Sequence, residues 1–249
     1  MNVIKLKNKT YRKNKLSVVI PILNENNNIL PLTLSLIDNL KNFDYEIIFV
    51  DDNSQDSSKK TLKILKKKYI FFKPLIRKKK RDLSQSCFDG IQKTKFNNIL
   101  IMDGDLQHDP KYINNMFYIY EKDKCDIVIG ARNLLSGSNP GLSKIRRVAS
   151  VVLIFLFSIF NVKTLDPMSG FFLFQKKIYQ KNKQFFFGKG FKILIDFIIN
   201  TKGSIKTKDV FINFKRRNRS KSKMNFKILL ILIQFYLLNL LRKLFKVNF

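Results

Sequence analysis

The chain has 249 residues, enough for one large domain or two small ones around a substantial core. Its 48 Lys and Arg against 18 Asp and Glu give a net charge of +30, which suits nucleic acid, an anionic membrane surface or a phosphorylated substrate. The basic residues are scattered, as in Lys66–Lys68, Lys78–Arg81 and Arg216-Arg217, without zinc-finger spacing or a base-stacking motif, so no nucleic-acid partner is expected and a basic nucleic-acid-binding protein is the remote alternative.

After a basic tail over residues 1–15, Leu16–Ile22 reads as a short β-branched strand, 21–28 as a turn and Leu30–Leu40 as a helix. Glu46–Val50 is a second strand, closed by Asp51-Asp52-Asn53-Ser54, and Ser57–Lys68 a helix with Ser54 and Asp56 as cap candidates. A third strand falls near Phe71–Ile76, a helix over Leu83–Lys93, a fourth strand over Asn98–Met102, a helix over Lys111–Lys122 and a fifth strand over Asp126–Gly130. Strands separated by helices imply parallel pairing with right-handed crossovers. Ligands then bind beyond the carboxyl ends of the strands. The polar groups Asn24-Glu25, Asp51-Asp52, Asp103-Gly104-Asp105 and Arg132 all fall at such ends.

The second half is of another kind. A Gly/Ser/Asn/Pro-containing loop over Arg132–Ser143 leads into the uncharged segment Val148–Val162. Next come Asp166–Phe172, a helix over Phe191–Asn200, a strand near Val210–Phe214, a basic stretch over Lys215–Lys223 and the uncharged segment Ile228–Leu241. Both uncharged segments are shorter than the ~20 apolar residues a spanning helix needs. They suit core helices or helices lying in a membrane interface, and the neighbouring Arg146-Arg147 and Arg242-Lys243 favour the interface. The polar amino terminus lacks the apolar core of a signal peptide. Cys87 and Cys125 form no metal or disulfide framework, as in a reducing cytoplasmic setting.

Asp103, Asp105 and Gln107 follow an apolar strand. On extended backbone their alternate side chains would project oxygen the same way, with Gly104 leaving room for a close approach. Hard divalent cations take such ligands, and Mg²⁺ commonly combines one or two carboxylates with substrate phosphates.

The segments Val19–Glu25, Val50–Asp56, Asp103–Pro110, Ile129–Arg132, Asp166–Phe172, Gly190–Leu194 and Arg217-x-x-Ser220-x-Ser222-Lys223 together resemble the family 2 nucleotide-sugar glycosyltransferases. More narrowly, they resemble the dolichol-phosphate mannosyltransferases and their bacterial polyprenyl-phosphate relatives. The resemblance covers about residues 16–224. It implies an α/β catalytic domain there with a GT-A-like (Rossmann-like), mostly parallel sheet flanked by helices, and a membrane-associating helix over 225–249.

The resemblance also implies roles. Pro21, Asn24, Glu25, Asp51 and Asp52 would meet the nucleotide. Asp103, Asp105 and Gln107 would hold Mg²⁺ or Mn²⁺ on the donor diphosphate. Arg132 and Arg146, with Ser169, would take the acceptor phosphate; Arg147 is the rival to Arg146. Arg217, Ser222 and Lys223 would fold over the sugar nucleotide. Asp82 stands where relatives carry glycine. His108 supports the metal turn rather than acting as a base, and Asp166 reads as a cap or turn residue. The implied reaction is inverting transfer of a hexose, mannose from GDP-mannose being favoured, to a polyprenyl phosphate on the cytoplasmic membrane face. The alternative is a family 2 enzyme using UDP-glucose or another nucleotide sugar, or a sugar-hydroxyl acceptor.

Overall fold

A computed structural model of the protein describes residues 13–132, 152–190, 193–215 and 226–245. Along the chain lie β1 (Asn14–Ile22), α1 (Asn26–Asn39), β2 (Phe43–Asp51), α2 (Ser58–Lys68), β3 (Leu75–Ile76), α3 (Leu83–Gln92) and β4 (Asn98–Ile101). A 3₁₀ turn, Pro110–Tyr112, leads into α4 (Ile113–Asp123) and β5 (Ile127–Arg132). Then follow α5 (152–158), β6 (Phe172–Gln175), α6 (Lys176–Asn182), α7 (Ile193–Asn200), β7 (Thr207–Ile212) and α8 (Phe226–Phe245).

The strands form one seven-stranded sheet in the order β3-β2-β1-β4-β6-β5-β7. β1, β2, β3 and β4 pair in parallel, as do β5 and β7, whereas β6 runs antiparallel to both β4 and β5. Alternate side chains divide the core between the two faces. Val18, Ile20, Ile47 and Phe49 pack on one side with α1, α2 and α4, while Val19, Ile48 and Val50 pack on the other with α3 and α7. Phe157, Ile195 and Phe235 join α5, α7 and α8 in a third cluster.

Two elements depart from the prediction. Strand character near Phe71–Ile76 contracts to Leu75–Ile76 plus an isolated bridge from Phe72 to Ile47, and Pro74 between them sits at the edge of the sheet, where proline is tolerated. β6 carries no alternating pattern, since Phe172, Leu173 and Phe174 are all buried, and its antiparallel course breaks the otherwise parallel scheme. Its direction places the turn before β6 at the carboxyl ends of its neighbours. Phe172 pairs with Ile101 near the end of β4 and with Ile129 in β5.

Pro21 sits inside a central strand without disturbing it. The Val19 carbonyl accepts from Met102 N, so the backbone at position 21 faces the same side, beyond the last β4 residue that pairs with β1. A missing N–H leaves no rung unfilled there.

At the opposite end of the sheet, buried Glu46 accepts from Ser17 Oγ at 2.6 Å, from Lys73 Nζ at 2.7 Å and from Lys95 N. Burial opposes its charge, but these donors prevail and hold its pKa below the ordinary value of 4.5. That stability is present above the unfolded value and is lost as pH falls through the folded one. Glu46→Gln should destabilise the fold at neutral pH by about 2 kcal/mol, the scale of a hydrogen bond to a charged group. Denaturant melts should show the gap to the parent narrowing below pH 4.5; a gap independent of pH would refute a stabilising carboxylate.

Candidate active site

At the carboxyl ends of the strands, two clusters lie beside one another. The first is the turn after β4. Gly104 is pressed against β1: a Cβ there would lie 2.5 Å from the Ile22 side chain, so only glycine lets the turn close. Asp105 Oδ1 accepts from Gln107 N at 3.1 Å, and Gln107 Nε2 donates to the Lys215 carbonyl at 2.9 Å. That bond commits the amide nitrogen of Gln107 and turns its oxygen to other use. The Asp103 carboxylate rests on Gly170 of the turn before β6, where an added Cβ would stand 2.4 Å from Oδ2.

Behind Asp103 lies His108, buried between Phe171, stacked at 5.2 Å, and Phe214, at 5.3 Å. Its Nδ1 is 3.7 Å from Asp103 Oδ2 and has no hydrogen-bond partner among the described residues. Burial depresses its pKa more than Asp103 and Asp105 raise it, which favours the neutral ring.

The donor set of this turn is all oxygen: two carboxylates and an amide. Among the described residues no three His, Cys, Asp or Glu side chains form a metal group. An all-oxygen donor set suits Mg²⁺ or Mn²⁺ and not a structural zinc site.

The second cluster centres on Arg132, the last residue of β5. Its Nε and Nη2 donate to the two oxygens of Asp166, each at 2.7 Å, and its backbone N donates to Oδ2 at 3.1 Å. The guanidinium also lies over Phe214, 5.2 Å from the ring centroid, so one ring touches both His108 and Arg132. Burial opposes the arginine charge, but Asp166 and then Asp103 outweigh it and hold its pKa above the usual value. Asp166 is wholly buried and does more than the turn role expected of it. Ser169, expected on the acceptor phosphate, is used internally instead. Its hydroxyl donates to the Gly130 carbonyl at 2.7 Å and accepts from Phe171 N at 3.1 Å, which ties the turn to β5.

Asp51 and Asp52, expected to meet the nucleotide, are used differently. Asp51 Oδ1 accepts from Ser54 N at 3.1 Å, while its buried Oδ2 has no partner among the described residues and is the oxygen still wanting a donor. Asp52 is engaged at both oxygens, by Arg77 Nη1 and by Asp82 N at 2.7 Å. Asp82 in turn caps α3 through Gln85 N and accepts from Gly190 N at 2.8 Å. The Arg77–Asp52–Asp82 chain was invisible in the sequence because Arg77 opens a run of five basic residues that reads as surface. Exposed Asn24, in left-handed backbone at φ 54, bridges β1 to the loop after β2: its N donates to Ser54 Oγ and its Oδ1 accepts from Gln55 N, both at 2.8 Å. Buried Glu25 accepts from Asn28 Nδ2 at 2.6 Å, and Pro21 is buried in β1. Arg146, Arg147, Arg217, Ser222 and Lys223 lie outside the described residues.

The sequence pattern of Glycosyl transferase family 2 matches residues 17–191. The chain is 33% identical over 217 residues to a dolichol-phosphate mannosyltransferase of Pyrococcus furiosus, covering 86% of this chain and 60% of that one. To the Saccharomyces cerevisiae protein of the same name it is 29% identical over 227 residues, covering 88% and 84%. It thus spans 60% of the archaeal relative's length. Among solved structures, Mycobacterium tuberculosis glucosyl-3-phosphoglycerate synthase matches with a TM-score of 0.61 at 16% identity, over 92% of this chain and 80% of that one. Its complex with Mn²⁺, UDP and phosphoglyceric acid matches at 0.63 and 18% identity, over 83% and 72%. At such identities the likeness concerns the fold alone. With the family pattern running from the first strand through the loop before α7, over the sheet that carries both clusters, the chain belongs to glycosyl transferase family 2.

Proposed function

We propose that the protein transfers mannose from a nucleotide sugar, GDP-mannose being favoured, to a polyprenyl monophosphate at the cytoplasmic face of a membrane, with Mg²⁺ or Mn²⁺. The observation that carries this reading is that His108, which follows the oxygen-bearing turn Asp103–Gln107 and lies 3.7 Å from Asp103, and Arg132 both rest on the Phe214 ring. One cluster suits a cation and its diphosphate, the other an anionic acceptor. The mannosyltransferase relatives support the acceptor class and the sugar.

Asp103, Asp105 and Gln107 would hold the cation, which supplies charge neutralisation on the departing nucleoside diphosphate. Asp51 would receive a donor group of the nucleoside at its unpartnered oxygen. Arg132 would align the acceptor phosphate with the anomeric carbon, so that orientation carries much of the rate. A phosphate monoester is anionic at neutral pH and requires no strong base. Asp166, committed to Arg132, is accordingly not assigned as one.

The membrane surface is read from α5 and α8. Leu230, Ile233, Leu237, Leu241 and Leu244 form an exposed stripe on α8, and Val152, Phe155 and Leu156 are exposed on α5. Arg242 and Lys243 stand at the end of α8. Among the described residues no helix is long and apolar enough to cross a membrane. Arg242 turns inward to Asn200 of α7, and the exposed apolar stripe with exposed Lys243 at its end favours an interfacial helix.

Asp105→Asn should reduce transfer to undecaprenyl phosphate on the order of 100-fold or more without lowering the melting temperature; near-normal turnover at saturating Mg²⁺ and Mn²⁺ would falsify the cation assignment. Gly170→Ala should displace the Asp103 carboxylate and raise the Mn²⁺ concentration needed for half-maximal rate, and an unchanged Mn²⁺ titration would show that Asp103 does not depend on this contact. Replacing exposed Leu237 and Leu241 by Asp should move the protein from vesicles to the soluble fraction while donor binding persists. Leu232 is unsuitable for that test because it packs into the third cluster. Continued sedimentation with vesicles would overturn the interfacial reading.

A further inference from the structure

We infer that Asp166 is a positioning residue that fixes which edge of the Arg132 guanidinium meets the acceptor phosphate. This rests on the proposed acceptor role of Arg132. An unpaired arginine offers phosphate a bidentate fork. Here Nε and Nη2 are both taken by Asp166 at 2.7 Å, and Nη1 takes no part in that pair. The guanidinium plane is held a third way by Phe214. Asp166 is itself pinned from the sheet: its backbone N donates to Thr164 Oγ1 at 3.1 Å. The same hydroxyl donates to Asp209 Oδ1 of β7 at 2.7 Å, and Leu165 N donates to Asp209 Oδ2 at 2.8 Å. A chain of hydrogen bonds thus runs from β7 through the 164–166 turn to the tip of β5. Its chemical result is that one edge of the guanidinium is closed by Asp166, so that the opposite edge, the two N–H of Nη1 and the second N–H of Nη2, is the one presented to phosphate oxygens, with the arginine charge largely balanced before the ligand arrives.

The test is a double-mutant cycle on the full chain, read as affinity for undecaprenyl phosphate in detergent without donor, and as kcat and KM with GDP-mannose. Asp166→Asn should weaken acceptor affinity roughly 10- to 150-fold, the range of one charge-assisted hydrogen bond, leave the KM for GDP-mannose unchanged and preserve the shape of the pH profile. In an Arg132→Ala background the same substitution should cost less than about threefold, because residues acting as a unit are not additive. Additive losses, or disappearance of the acidic limb of the pH profile in Asp166→Asn, would overturn the positioning role, the latter in favour of a general base. If Arg132→Ala leaves acceptor affinity intact, the acceptor reading fails, and that result is independent of the cycle. Should Asp166→Asn fail to fold, Asp209→Asn should reproduce the acceptor defect in smaller degree with the GDP-mannose KM unchanged; a normal acceptor affinity in that variant would count against the inference.

Discussion

The site depends on one strand running the wrong way. Because β6 is antiparallel between β4 and β5, its entrance turn arrives where its neighbours end. A parallel strand in that slot would deliver its amino end to the far side of the sheet, and Asp166, Ser169 and Gly170 with it. The reversed course instead brings a carboxylate to Arg132 and a glycine beneath Asp103. The Ser169 hydroxyl locks the turn to the Gly130 carbonyl, so the two clusters share one rigid support.

Electrostatics separates the bulk charge of so basic a chain from its fixed cationic groups. Bulk positive charge acts over a Debye length and is screened by salt, so the scattered lysines provide attraction without direction. Arg132, by contrast, is fixed in direction by Asp166 and Phe214, while Arg77 is spent inside the fold on Asp52 and Asp89. Neutral His108 contributes shape beside Asp103 without adding a charge that would compete with a cation there.

Much of this architecture is legible in the residues. The apolar runs over β1, β2, β4 and β5 and the polar residues that end them follow from burial on both faces of a parallel sheet. What the sequence hides is pairing. Nothing local marks Asp166 as the partner of Arg132, 34 positions away, or separates Arg77 from its four basic neighbours. Ser169 shows the opposite error: a hydroxyl in a motif suggests a ligand contact, but a buried turn must first satisfy its own carbonyls. Asp52 is similar, since adjacent carboxylates look equivalent until one acquires a buried arginine. β6 escaped notice because it is only four residues long and three successive ones, Phe172, Leu173 and Phe174, are buried, which leaves no period to read.

The Arg132–Asp166 pair also bears on how such a site can change over generations. Loss of either partner alone strands a buried charge, a change that typically costs about 3–5 kcal/mol and consumes a large part of a domain's stability. The acceptor side is therefore confined to concerted replacement of two residues on separate segments. Asn24 and Gln55, at the nucleotide side, are exposed and can drift one at a time at small cost. Selectivity for the donor base should accordingly diverge faster among descendants than selectivity for the acceptor.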